Sequence, residues 1–78
     1  MPKLPRDADP RKVLRALQRL GFVLDHVTGG HYAVVHNKDA SRRASIPFHG
    51  KVRTGTLRAI LRETRLTLEE FLEMFLLL

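Results

Sequence analysis

Four histidines are the side chains of this 78-residue chain best suited to move protons or bind a metal, because it contains no cysteine. They are His26, His31, His36 and His49. The first three stand five residues apart, a spacing that matches no metal-ligand pattern, and a metal site needs three or four converging ligands. We therefore expect no metal site and no cofactor, and we interpret His26 and His36 as partly exposed strand residues.

His31 differs from the other histidines because it directly follows Gly29 and Gly30 at the start of a predicted strand. The missing side chains would let another backbone approach closely, and the sheet would hold the imidazole open to a bulky anionic substrate. The alternative is an ordinary Gly-Gly hairpin turn, since histidine is tolerated at strand starts. From these residues alone, the ordinary turn is the favoured interpretation.

A second candidate site is the basic segment 49–56, which leads into a predicted helix. Lys51 and Arg53 precede the helix, and Arg58 and Arg62 lie four residues apart on it. A helix N-terminus offers free N–H groups and a partial positive charge, so it binds phosphate well. The alternative, a solvated surface helix, fits the same residues equally well. Exposed aromatic residues are few, so we expect contacts with a nucleic-acid backbone rather than base stacking.

The net charge indicates a polyanionic partner. The chain carries 14 Lys and Arg against 8 Asp and Glu, a formal charge of +6 with a pI near 10.8. Residues 1–65 hold all 14 basic and five acidic side chains, net +9, and residues 66–78 hold three glutamates, net −3, which together give +6. The basic body points to nucleic acid, and the acidic, apolar end points to a different partner.

Length and composition predict one small cytoplasmic domain that does not contact a membrane. The chain begins without the apolar region of a signal peptide, and no run of residues is long and apolar enough to span a bilayer. The absence of cysteine suits a reducing compartment. We expect a single domain over residues 1–78, in which residues 1–9, rich in proline, form an extended N-terminal arm.

The local patterns predict a helix followed by three antiparallel strands. Asp9 is expected to cap the helix, with Pro10 at its first position and Gly21 closing it in a left-handed conformation. The strands are predicted at Phe22 to Val27, His31 to His36 and Arg43 to Phe48.

Two further helices complete the pattern. Thr54 is expected to cap one that runs to about Glu63, and Thr67 and Glu70 to form a capping box for the last. The last helix has an apolar stripe formed by Leu68, Phe71, Leu72, Phe75 and Leu76. Met74 and the terminal leucines exceed what one stripe buries, which is typical of an interface. Helices on one face of an antiparallel sheet make an α+β fold.

Together, the elements and their motifs resemble the HicA toxins of bacterial and archaeal toxin–antitoxin systems. The matching segments are LGFV at 20–23, GGHY at 29–32, IPFHGK at 46–51, GTLRAIL at 55–61 and LTLEEFL at 66–72. The resemblance covers nearly all of the chain from Pro10 onward. The departures are Gly30, where the family often has serine, a longer loop at 37–42, and a link at 51–55 that is one residue shorter.

The resemblance implies a fold like that of double-stranded-RNA-binding domains: a helix, a three-stranded antiparallel sheet, a helix, and an additional C-terminal helix. It implies an endoribonuclease that binds and cleaves mRNA, with His31 as the catalytic residue, which reverses the interpretation given above. It also implies a HicB-type antitoxin as protein partner. The residues expected to contact RNA are Gly29, Gly30, Lys51, Arg53, Arg58 and Arg62.

The mechanism expected for such an enzyme needs no metal. His31 would act as general base on a ribose 2′-hydroxyl or as general acid to the leaving oxygen. His49 is a candidate partner only because it lies next to the basic segment in sequence. The alternative function is a non-catalytic RNA- or DNA-binding module of the same fold, and a homodimer is a second explanation for the surplus apolar residues at the end of the chain.

Overall fold

The computed structural model describes residues 3–78, and five strands and three helices lie in that part of the chain. In order they are β1 (Asp7–Ala8), α1 (Pro10–Arg19), β2 (Phe22–Val27), β3 (His31–His36), β4 (Arg43–Pro47), β5 (Val52–Arg53), α2 (Thr54–Thr64) and α3 (Leu68–Phe75). Strands β2, β3 and β4 form one antiparallel sheet in that order, and β1 pairs with β5. The helices flank the sheet, which confirms the α+β fold and agrees with a double-stranded-RNA-binding-domain-like architecture.

Helix α1 begins and ends as its sequence predicts. Asp9 has an extended backbone, and its carboxylate accepts a hydrogen bond of 2.9 Å from the backbone N–H of Arg11. Pro10 is the first helical residue, where its missing N–H costs nothing. Gly21 follows the helix with φ of +98°, a conformation that glycine adopts without strain.

The central strand, β3, places His31 opposite Pro47 of β4. Pro47 ends β4 as expected, so the strand stops one residue before the predicted Phe48. Side chains alternate along a strand, and the buried Val34 and Ile46 face the helices. His31 and Pro47 therefore project from the opposite, open face of the sheet.

The expectation that Thr54 caps helix α2 is wrong. Arg53 occupies the capping position and makes no side-chain capping bond, while Thr54 is the first helical residue. The Thr54 hydroxyl donates instead to the carbonyl oxygen of Pro5, at 3.2 Å. The pairing of β5 with β1 keeps the backbone extended as far as Arg53, and the helix then begins at Thr54, one residue earlier than a cap at Thr54 would allow.

Part of the N-terminal arm is paired with another strand. Asp7 lies opposite Arg53 and Ala8 opposite Val52 in the β1–β5 ribbon. Ala8 is 3% exposed, so this part of the arm belongs to the core. Residues 1 and 2 of the predicted arm lie outside the described residues.

The last helix has the expected capping box but a shorter buried stripe. Thr67 accepts from the N–H of Glu70 at 3.1 Å, and Glu70 accepts from the N–H of Thr67 at 2.9 Å. Phe71, Leu72 and Phe75 are buried. Leu76, the last residue of the apolar stripe, is 71% exposed and lies just beyond the end of α3 at Phe75. Leu77 is likewise exposed, as expected for a surplus residue, whereas Met74 and Leu78 pack partly against the core.

Candidate active site

His31 combines a fixed backbone with a free ring. Its N–H donates to the Thr28 hydroxyl oxygen at 3.0 Å, and its carbonyl oxygen accepts from the Thr28 N–H at 3.0 Å. The side chain is exposed, and no hydrogen bond holds either ring nitrogen among residues 3–78. The imidazole is therefore held in place by the sheet while both nitrogens stay open to a substrate.

The turn that precedes His31 is tied on both sides. The Thr28 hydroxyl also accepts from the N–H of Gly30, at 3.3 Å. The carbonyl oxygen of Gly30 accepts from the N–H of Phe48 at 3.0 Å, which continues the β3–β4 ladder by one residue beyond Pro47. The turn is thus a rigid extension of the sheet.

The two glycines of the turn are not equivalent, and neither has a positive φ. A Cβ at Gly29 would meet nothing within 4 Å, whereas a Cβ at Gly30 would lie 3.3 Å from Cδ2 of His49. The His49 side chain therefore occupies the space next to Gly30 that a Cβ there would need, and the backbone N–H of Phe48 approaches the Gly30 carbonyl oxygen.

His49 lies folded over this turn. Its Nε2 is 2.6 Å from the carbonyl oxygen of Gly29. Its ring centroid is 5.1 Å from that of Phe48, which in turn lies 4.7 Å from Tyr32. A cluster of three mutually tilted rings, those of Tyr32, Phe48 and His49, therefore connects the segment after β4 to the strand that carries His31. Its predicted part as proton-transfer partner has no supporting contact, because no hydrogen bond joins the two histidines within the described range.

The other two histidines are engaged elsewhere. Nδ1 of His26 lies 2.7 Å from a carboxylate oxygen of Asp25. Nδ1 of His36 accepts from the N–H of Lys38 at 3.1 Å, and its ring packs edge-on against Phe22 with centroids 5.0 Å apart. In the part of the chain that the structure describes, no three His, Asp or Glu side chains are arranged to hold a metal ion.

The predicted basic residues are all exposed, but they divide between two clefts. Lys51 lines a cleft of about 470 Å³ together with Tyr32 and Phe48, two rings of the cluster beside the turn. Arg58 lines a second cleft of about 540 Å³, formed by the arm and helix α2. Arg53 and Arg62 line neither of them. No carboxylate pairs with any of the four among residues 3–78.

Three basic residues near these clefts were not predicted as site residues. Lys3 and Arg6, from the N-terminal arm, line the cleft that holds Arg58. Arg11, at the start of α1, lines the cleft that holds Lys51. Their charge was visible in the sequence, but only the pairing of β1 with β5 reveals where the arm lies.

The chain matches a known protein family. The family model described as HicA toxin of bacterial toxin–antitoxin matches residues 10–66, which include the turn, all of the three-stranded sheet and α2. No curated protein matches the chain. Within residues 3–78, no helix is long and apolar enough to cross a bilayer.

Proposed function

The chain belongs to the HicA family of bacterial toxin–antitoxin toxins, and from that membership we propose that it is an endoribonuclease that cleaves mRNA with His31 as its catalytic residue. The observation that carries the proposal is the state of His31. It is the one histidine of four whose ring nitrogens make no hydrogen bond within residues 3–78, yet two backbone hydrogen bonds fix its position.

The chemistry follows from a free imidazole beside a phosphodiester. The ribose 2′-oxygen attacks the adjacent phosphorus as its proton passes to a base, and the bond from phosphorus to the 5′-oxygen breaks as that oxygen gains a proton. His31 serves as the base for the first transfer or the acid for the second, because imidazole does either near neutral pH. General acid–base catalysis of this kind contributes about 10²- to 10⁴-fold.

Cationic side chains supply the binding energy and stabilise the charge of the transition state. Lys51 lines the cleft that contains Tyr32 and Phe48, at the same end of the sheet as the turn, where its charge is suited to bind a phosphate of the RNA. Arg53, Arg58 and Arg62 extend the positive surface along the start and length of α2. The backbone of Gly29 and Gly30 forms the edge against which the RNA lies, since neither glycine presents a side chain there.

The family membership also implies pairing with an antitoxin, and a HicB-type protein is the partner that we propose. Such a partner neutralises the toxin by covering the basic face and His31. Pairing in the compartment where mRNA is translated makes the cytoplasm the proposed location. The exposed Leu76 and Leu77 offer a further apolar contact, to the antitoxin or to a second copy of the chain.

The experiment uses purified parent protein and a His31→Ala variant, each incubated with RNA in the presence of EDTA. We expect the parent to cleave and the variant to lose about 10²-fold or more of the rate. A DNA of the same sequence should remain intact because it lacks the 2′-hydroxyl. His26→Ala is the matched control, since it removes another exposed imidazole and should cleave at the parent rate.

Three results would overturn parts of the proposal. Cleavage by His31→Ala at the parent rate would remove His31 from the chemistry. A requirement for a divalent ion would overturn the metal-free mechanism. Tight RNA binding without cleavage by parent or variant would leave the non-catalytic binding module as the function.

A further inference from the structure

We propose that His49 is a positioning residue: its ring fixes the 28–30 turn from which His31 projects, and takes no part in proton transfer itself. The proposal rests on the proposed function of His31 for its kinetic consequence. Its geometric basis is independent of that function, because it depends only on contacts between His49 and the two glycines.

The first contact is the hydrogen bond from His49 to the turn. A carbonyl oxygen only accepts, so Nε2 of His49, 2.6 Å from the carbonyl oxygen of Gly29, carries the hydrogen. Thr28 ties the turn from one side through the N–H groups of Gly30 and His31. His49 ties it from the other side through the only carbonyl of the Gly-Gly pair that the β-ladder does not use.

The second contact explains why residue 30 is glycine. A Cβ there would stand 3.3 Å from Cδ2 of the His49 ring, so the ring would have to shift by a few tenths of an ångström. No such restriction exists at Gly29, and the backbone of neither residue needs glycine for its φ. The absent side chain of Gly30 is therefore the seat of the His49 ring.

The His49 ring and the His31 ring lie on opposite faces of the sheet. Side chains alternate along β3, so the seat at Gly30 and the ring of Tyr32 face one side while His31 faces the other. The tilted ring contacts of His49 with Phe48, and of Phe48 with Tyr32, lie on that same first side. His49 therefore reaches His31 through the turn backbone and not by contact of the two rings.

A turn held in this way sets the direction of the His31 side chain, and proton transfer is sensitive to that direction. A displacement of about 1 Å at a catalytic group costs up to about 10²-fold in rate. The hydrogen bond itself lies at the surface, where water can replace it, so its loss should leave folding nearly unchanged.

Two variants of His49 separate its hydrogen bond from its ring. His49→Phe keeps a ring for the contact with Phe48 and loses the donor, whereas His49→Gln keeps an N–H at the reach of Nε2 and loses the ring. We expect His49→Phe to lower kcat by about 10- to 10²-fold with little change in KM or thermal midpoint. His49→Gln should recover most of that loss, with a pH profile of the same shape as the parent's.

Several outcomes would overturn the proposal. Parent kcat in His49→Phe would show that the hydrogen bond positions nothing. A rate for His49→Gln as low as that of His31→Ala, or the loss of one limb of the pH profile, would make His49 a catalytic residue. If kcat fell only in variants whose thermal midpoint also fell, His49 would merely stabilise the fold.

If the parent protein cleaves no RNA, the proposed function fails but the geometry can still be tested by NMR. Gly30→Ala should shift the ring signals of His49 and the amide signal of His31, because the new Cβ occupies the seat of the ring. Gly29→Ala, its matched control, should leave both signals in place. Equal effects of the two substitutions, or no effect of Gly30→Ala, would show that the His49 ring does not pack against Gly30.

Discussion

The two ends of strand β3 each carry a histidine, and the two are held in opposite ways. At the first end, the backbone of His31 is bonded twice to Thr28 while its ring is free. At the other end, the ring of His36 accepts from the N–H of Lys38 and packs edge-on against Phe22. The His36 ring is bonded to and packed against the protein, whereas the His31 ring is open to a substrate, so position on one strand does not decide function.

The segments next to these histidines differ in the same sense. The 28–30 turn is closed by a hydroxyl, backbone groups and the His49 ring. The 37–42 loop is closed by charged groups: Arg65 contacts both Asp39 and Ser41, and Arg42 donates to the carbonyl oxygen of Thr64 at 2.8 Å. The first arrangement leaves an open face for a ligand, and the second joins the sheet to the end of α2.

Exchange of each histidine for alanine should give the largest difference between the two ends. His31→Ala should lower RNA cleavage by about 10²- to 10⁴-fold at unchanged stability, because its ring is exposed and unbonded. His36→Ala should retain the cleavage rate per folded molecule and lower the thermal midpoint, because its ring packs on Phe22. Cleavage rates and thermal midpoints of both variants check this, and a large loss of cleavage in folded His36→Ala would contradict it.

What the sequence could predict is confined to contacts between near neighbours. The caps at Asp9 and Thr67 and the bounds of β2 and β3 depend on residues within a few positions, and the structure confirms them. The ring of His49 over the turn joins residues 20 apart, so no local pattern indicates it. The same holds for β1 and β5, whose two residues each are too short for any periodicity to appear.

Candidate site residues divide along the same line. The two preceding glycines made His31 a candidate from the sequence alone. Only the structure shows that the rings of the other three histidines are hydrogen-bonded. Lys3 and Arg6 reach the cleft of Arg58 because the arm pairs with β5, which depends on a contact across most of the chain.

Substitution of glycine should give the second largest difference, in stability. Gly21 has φ of +98°, and a Cβ there would stand 2.9 Å from Nε2 of His36. Gly21→Ala should therefore lower the free energy of unfolding by about 1–3 kcal/mol, from backbone strain and displacement of that ring. Gly29→Ala, whose Cβ meets nothing and whose φ is not positive, should stay within about 0.5 kcal/mol of the parent. Denaturant unfolding of both measures the difference, and equal losses would contradict it.

A third difference concerns RNA affinity. Lys51 lines the cleft next to the His31 end, whereas Lys38 is exposed in the loop at the His36 end. Lys51→Ala should weaken RNA binding about fivefold and lower the slope of log affinity against log salt by about 0.7, the value for one phosphate contact on a single strand. Lys38→Ala should change neither quantity. Equal slopes for the two variants, measured between low and moderate salt, would place the RNA elsewhere.

The smallest difference is one of pH. The hydroxyl of Ser41, 2.6 Å from the Asp39 carboxylate, holds the pKa of that carboxyl below its ordinary value, with help from the Ser41 N–H and the Arg65 charge. A carboxyl whose folded pKa is lowered stabilises the fold at pH above its unfolded pKa, about 3.8. That contribution disappears as the pH falls through the folded pKa. The 28–30 turn contains no carboxylate, so nothing there titrates in this range.

An acid titration followed by NMR therefore distinguishes the two ends of β3 within one sample. The Ser41 amide signal should move with a midpoint below 3.8, because protonated Asp39 no longer accepts from both groups of Ser41. The Gly30 amide signal should stay constant over the same range, since its acceptor is the hydroxyl of Thr28. Asp39→Asn should abolish the movement at Ser41. A midpoint at or above 3.8 would mean that Ser41 does not hold the Asp39 carboxylate in its charged form. A parallel shift at Gly30 would mean that the turn also depends on a carboxylate.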